Sequence, residues 1–150
     1  MELAETEIKL QEFTLNLPGN DWTDHSTSEN YEFRVGERKQ LILALHMTKK
    51  HLSPSELEAA VFELVRIRLD AIQKHSGNSC TFESPQVEQT SNRFSAFVFG
   101  RDPRGVLMQL RIFGTPQKLL VASYYNYSDS QNVDAFKQQA NAIISNIRLK

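Results

Sequence analysis

The chain of 150 residues carries 17 basic and 18 acidic side chains, a formal net charge of −1, and a hydrophobic fraction of 40%. That length and balance suit one globular domain spanning residues 1–150 and exclude disordered and fibrous classes. No cluster of Lys and Arg is present to neutralise phosphates, which argues against nucleic acid as a partner. Cys80 is the only cysteine, so an internal disulfide is excluded, and a lone thiol agrees with a reducing compartment.

The first residues, Met1-Glu2-Leu3-Ala4-Glu5-Thr6-Glu7, are acidic and lack the basic start and apolar run of a signal peptide. Residues 1–11 are expected to be a flexible N-terminal segment. The longest apolar stretches, such as residues 41–45, are far short of a bilayer span. A cytoplasmic protein without stable membrane anchoring is the expectation.

Phe13-Thr14-Leu15-Asn16-Leu17 alternates apolar and polar and stops at Pro18, the pattern of a short strand. Gly19, Asn20 and Asp21 form a turn before Trp22, and residues 23–30 read as a polar loop. Tyr31, Phe33 and Val35 alternate with Glu32 and Arg34 as a second strand. Gly36 and Glu37 turn the chain into a third, residues 40–47. Ser53 then stands as N-cap, with Pro54 at the first helical position and Glu56 completing a capping box. Leu52 and Leu57 flank it at staple spacing, and Leu57, Val61, Leu64, Val65 and Ile72 recur at helical spacing. Gly77 is the expected stop.

Four strands should follow. Residues 81–89 are interrupted by Pro85. Residues 93–99 and 106–113 flank the turn Asp102-Pro103-Arg104-Gly105. Gly114-Thr115-Pro116-Gln117 turns into the last strand, residues 119–127. Asn132 caps a final helix with Val133, Phe136, Ala140, Ile143, Ile144 and Ile147 on its inner face. The expected fold is α+β: a single twisted, mainly antiparallel sheet of about six to seven strands with two packed helices, in the order βββ-α-ββββ-α, because short turns force antiparallel pairing. Whether the helices share one face does not follow from the pattern.

No catalytic constellation emerges. Cys80 and His75 lie close in sequence, but the bland reading is a frayed helix end and a small apolar residue. His25, His46, His51 and His75 match no zinc spacing, so no metal is expected. Asp21 and Asp24 flank Trp22 but sit where Asp usually bonds its own backbone. Gly36, Gly100, Gly105 and Gly114 read as single turn residues and make no phosphate-cradling loop. No cofactor is implied, and the protein is expected not to be an enzyme.

The sheet carries the binding expectation. Val106, Met108, Leu110 and Ile112 make one apolar strand face; Leu107, Gln109, Arg111 and Phe113 make a mixed one. Leu120, Ala122 and Tyr124 (with Asn126) form one face of the last strand. Leu107, Gln109, Arg111, Phe113, Leu120, Ala122 and Tyr124 are the candidate partner-binding residues, since mixed apolar, aromatic and Arg surface is typical of protein-binding patches. The competing reading has the second helix covering this face, with Arg111 reaching its edge. Tyr124, Tyr125 and Tyr127 also suit simple packing on a pleated surface.

Leu15-Asn16-Leu17-Pro18 followed by Trp22, Asp24 and Ser26 resembles the start of the Eag chaperones, the effector-associated chaperones of bacterial type VI secretion. Residues 106–111, Pro116, Leu119-Leu120-Val121 and Phe136-Lys137-Gln138 extend the resemblance over most of the chain. It implies the wider DcrB/PsbP-like fold and a cytosolic homodimer whose sheet shields apolar segments of a bacterial effector before export. The alternative on the same fold is an immunity protein that neutralises a cognate toxin, with loops 23–30 and 101–104 supplying the charged surface. A small-ligand or photosynthetic-type accessory domain is a third use of the fold, for which no specific residue speaks.

Overall fold

The computed structural model describes residues 5–10, 13–19, 21–77, 79–127 and 132–149. Thirteen elements run along them: β1 Glu5–Lys9, β2 Phe13–Pro18, β3 Thr23–Asp24, β4 Tyr31–Val35, β5 Lys39–Met47, α1 Pro54–His75, β6 Thr81–Phe82, β7 Gln86–Thr90, β8 Arg93–Arg101, β9 Leu107–Gly114, β10 Lys118–Asn126, α2 Val133–Ile144 and β11 Arg148–Leu149. The expected α+β fold is present. Its main sheet has the order β3-β4-β5-β10-β9-β8-β6, with β7 also paired to β8. Every pairing given for it is antiparallel, including the long ladders of β10 with β5 and with β9.

Four features differ from the expected order. The segment expected to be flexible carries β1, which pairs with β2 from Glu5↔Pro18 to Lys9↔Thr14; residues 1–4 and 11 lie outside the described set. With β11 on its other side, β2 belongs to a second, three-stranded sheet and not to the main one. The polar stretch after Trp22 includes the short β3, because the Asp24 carboxylate accepts from the Ser26 N–H at 2.8 Å and Ser26 Oγ accepts from the Glu32 N–H at 3.0 Å. These bonds hold the arm against β4. Pro85 splits the expected strand of residues 81–89 into β6 and β7.

Both helix starts follow their caps. The Glu56 N–H donates to Ser53 Oγ at 3.3 Å and the Ser53 N–H to Glu56 Oε1 at 3.1 Å, closing the capping box. Lys50 adds an ion pair to Glu56, and the lysine together with the cap bonds holds that carboxyl near 2. At α2 the Ala135 N–H donates to Asn132 Oδ1 at 2.9 Å. Gly77, at φ +72°, ends α1 as expected.

The helices lie on opposite faces of the main sheet. Leu57, Val61 and Val65 of α1 join Phe94, Ala96, Val98, Met108, Leu110, Ile112, Leu119 and Val121 in one core. Phe136, Ala140, Ile143 and Ile144 of α2 join Leu41, Leu43, Leu107, Leu120, Ala122 and Tyr124 in the other. Phe13, Leu15 and Leu17 of β2 complete this second core. Ile147 lies past the end of α2 yet remains buried, as its place on the predicted inner face requires. Gly100 and Gly114, expected in turns, lie within strands. A Cβ on Gly114 would stand 2.7 Å from Leu57 and 2.8 Å from Val61, so the missing side chain lets the first turns of α1 rest on β9.

Candidate functional site

The mixed face proposed for partner binding is the α2 face. Leu107, Gln109, Leu120, Ala122 and Tyr124 are buried there. Tyr124 stacks on Phe136 at 5.6 Å between centroids, and its hydroxyl donates to Gln139 Oε1 at 2.9 Å. Burial pushes this phenol far above its ordinary range. The covered reading of this face therefore describes the chain, and these five side chains act as core.

Arg111 and Phe113 lie at the margin of that face and are half-buried. The Arg111 guanidinium sits between two rings, 5.2 Å from the Phe97 centroid and 4.9 Å from that of Phe113. Its Nη2 donates to Glu88 Oε2 at 2.8 Å, while its buried Nε has no partner. Two cation–π contacts and one ion pair hold this arginine flat against the sheet. It ties β7 down and offers little of its charge outward.

The other face is covered less completely. α1 packs on β8 and β9, and beyond its C-terminal half the sheet opens into a cleft of about 580 Å³. Its floor is Ile42, Met108, Tyr125 and Gln40, and its far wall is Tyr127. Arg68, Ile72 and His75 of α1 form the near wall, and Arg101, Asp102 and Arg104 close one end. Tyr125 and Tyr127, two residues apart on β10 and just past it, stack at 6.0 Å with planes 17° apart. The Tyr127 hydroxyl donates to Gln40 Oε1 at 2.8 Å. Burial raises the Tyr125 phenol, opposed by the Arg68 guanidinium beside it. Tyr127 is raised to about 12, chiefly by burial of its ring-side surface.

The charge of the cleft is one-sided. Asp102 is committed to the turn: its Oδ1 accepts from the Arg104 N–H at 2.9 Å and the Val106 N–H at 3.0 Å, and its Oδ2 pairs with Arg104 at 3.1 Å. No carboxylate among the described residues pairs with Arg68 or Arg101. The cleft is thus rich in donors and aromatic surface and poor in available acceptors. Such a lining can seat a partner's acidic or polar group. Among the described residues no group of three or more His, Cys, Asp or Glu is placed to hold a metal, and no helix is long and apolar enough to cross a membrane.

Cys80 and His75 both line this cleft. Gln73 fixes the Cys80 backbone, accepting from its N–H at 3.1 Å and donating to its carbonyl at 2.8 Å. The sequence did contain a sign of the cleft. Position 68 falls on the inward stripe of α1, three residues after Val65 and four before Ile72, and it holds Arg where the stripe calls for an apolar residue. Of the charged loops assigned to the immunity reading, residues 101–104 close one end of the cleft; residues 23–30 do not line it.

No family model matches the chain, and no curated protein matches it. Among solved structures it is similar to the solution structure of cyanobacterial PsbP (CyanoP) from Synechocystis sp. PCC 6803. The TM-score is 0.71 at 11% identity, covering 100% of this chain and 95% of that one. It is also similar to the crystal structure of the Ran-binding protein Mog1p of Saccharomyces cerevisiae, with a TM-score of 0.60 at 10% identity, covering 99% and 96%. Membership of the effector-associated chaperones does not follow from these likenesses. What they show is that the chain has the PsbP/Mog1-like fold.

Proposed function

We propose that this chain is a non-catalytic protein-binding module, a single domain that docks its partner in the cleft on the α1 face. The observation that carries the reading is the stacked Tyr125–Tyr127 pair in a cleft also lined by Arg68, Arg101 and Arg104. Tyr and Arg dominate binding hot spots because each buries a large area and keeps a polar handle. The shared fold lends support, since Mog1p is a Ran-binding protein, although fold alone does not carry function.

Two client classes stand behind this module. A chaperone that shields apolar segments of a type VI effector needs an open apolar groove, and the candidate face for one is filled by α2 and β2. An immunity protein needs a polar, charged surface against a toxin, and the cleft with its loop of residues 101–104 offers that. The observations favour the immunity-type client, in the cytoplasm, with the homodimer implied by the resemblance as a separate proposal. Light scattering decides the last point by returning the monomer mass or its double.

The test uses three immobilised forms of the chain, wild-type, Arg68→Ala/Tyr127→Ala and Arg111→Ala, exposed to extract of the source cells. A protein retained by wild-type and by Arg111→Ala, but reduced about tenfold or more on the cleft variant, supports the reading. Retention lost only with Arg111→Ala moves the site to the α2 face. Truncating the captured protein then separates the classes: dependence on its toxin domain means immunity, and dependence on an apolar segment means chaperoning.

A further inference from the structure

We infer that the cleft recognises an anionic group, a carboxylate or phosphate ester, carried on a flat aromatic or apolar body. The inference deepens the docking reading and rests on it only in assigning the cleft as the site. Arg68, whose guanidinium stands beside the Tyr125 phenol, and Arg101 both line one concavity, and no carboxylate among the described residues pairs with either. The one acid in the lining, Asp102, already accepts from two backbone N–H groups and from Arg104. Because Tyr127 donates to Gln40 Oε1, the Gln40 amide NH2 joins the donors on the rim. Guanidinium forks match the paired oxygens of a carboxylate or phosphate, and a concave, partly desolvated wall strengthens the pairing.

The rest of the lining selects what bears the charge. The stacked Tyr125–Tyr127 pair, Ile42, Met108 and Ile72 give a flat apolar bed beside the Arg68 guanidinium. A small, strongly hydrated ion leaves this bed wet, whereas a ring or aliphatic body covers it and gains the burial. The volume of about 580 Å³ lies in the range of small-ligand sites, roughly 300–1,000 Å³. It takes one such group with room at the mouth for the chain or molecule that carries it.

Nuclear magnetic resonance titration of the whole chain provides the test, with phenyl phosphate, phenylacetate and inorganic phosphate as probes at constant ionic strength. The expected result is saturable shifts of the Arg68 and Arg101 side chains and the Tyr125 and Tyr127 rings. Both aromatic anions should bind several-fold more tightly than inorganic phosphate, and the tighter of the two identifies a phosphate or a carboxylate as the natural group. Arg68→Ala and Arg101→Ala should each weaken binding about tenfold or more, Arg68→Lys should restore only part of it, and Arg111→Ala should leave it unchanged. Thermal unfolding of each variant verifies that it is folded, and either arginine variant suffices for the comparison. Shifts that do not saturate, or that are equally large at the exposed Arg66 and Arg93, overturn the proposal. So does binding that is as tight in both arginine variants as in the wild-type chain. Anion binding with partner capture indifferent to the cleft would preserve this site and remove the docking reading; capture without anion binding would do the reverse.

Discussion

The two faces of the main sheet are both apolar, yet one is closed and the other is not. A helix about 10 Å across spans roughly two strands spaced about 4.8 Å apart. On the α2 face two covers share the work: α2 lies over β9 and β10, and β2 brings Phe13, Leu15 and Leu17 to the core under β4 and β5. On the α1 face there is one cover, and it lies over β8 and β9. What it cannot reach, the ends of β5 and β10, becomes the cleft. The lesson is that an open site here is set by the width of the cover and not by the polarity of the strand beneath it.

The sharpest break in this comparison is between two tyrosines on one stretch of chain. Tyr124→Ala removes a fully buried ring, its stack on Phe136 and its bond to Gln139. It should cost about 3–5 kcal/mol in urea unfolding. Tyr127→Ala, from a side chain 44% exposed, should cost less than about 1 kcal/mol. Similar losses for both would mean that the faces are closed alike.

Gly114→Ala probes the seating of α1. The added methyl meets Leu57, Val61 and the Phe94 carbonyl at under 3 Å, and overpacking of this kind costs about 1–3 kcal/mol. A neutral effect would show that α1 sits further from β9 than described. Tyr124→Phe isolates the hydroxyl on the closed face and should cost about 1 kcal/mol; a stabilising result would mean that Gln139 is no true partner.

The smallest effect is the response to alkali. Tyr124, Tyr125 and Tyr127 all have phenols raised by burial. Tyr127, at about 12 against an ordinary 10.0, has a folded value above its unfolded one, so its contribution is complete below pH 10. Above that the unfolded chain loses its proton first, and stability falls as pH rises toward about 12. Unfolding midpoints between pH 9 and 12 should decline, and Tyr127→Phe should flatten part of the decline. An unchanged slope in that variant would remove Tyr127 as a source.

Much of this fold was legible. The Ser53 and Asn132 caps, the Gly77 stop and the turn at residues 102–105 are local devices whose geometry depends on a few neighbouring residues, and they appear as read. The site was less legible, because period-two alternation tells which residues share a face but not which element covers it. Alternation puts Tyr124 on one strand face with Leu120 and Ala122, and that face is closed. The run Leu119-Leu120-Val121-Ala122 points to coverage of both faces, as apolar residues on successive positions do in a sheet packed on both sides. β1, β3 and β11 leave little trace in five or fewer residues, and β11 depends besides on pairing with distant chain, at β2.

The central claim, that partners meet this chain on the α1 face, is most directly tested by hydroxyl-radical footprinting with and without the captured partner. Tyr125, Tyr127, His75 and Cys80 should lose reactivity in the complex, while Phe97 and Phe113 stay unchanged. Protection confined to Phe97 and Phe113, with the cleft residues as reactive as before, would contradict the account.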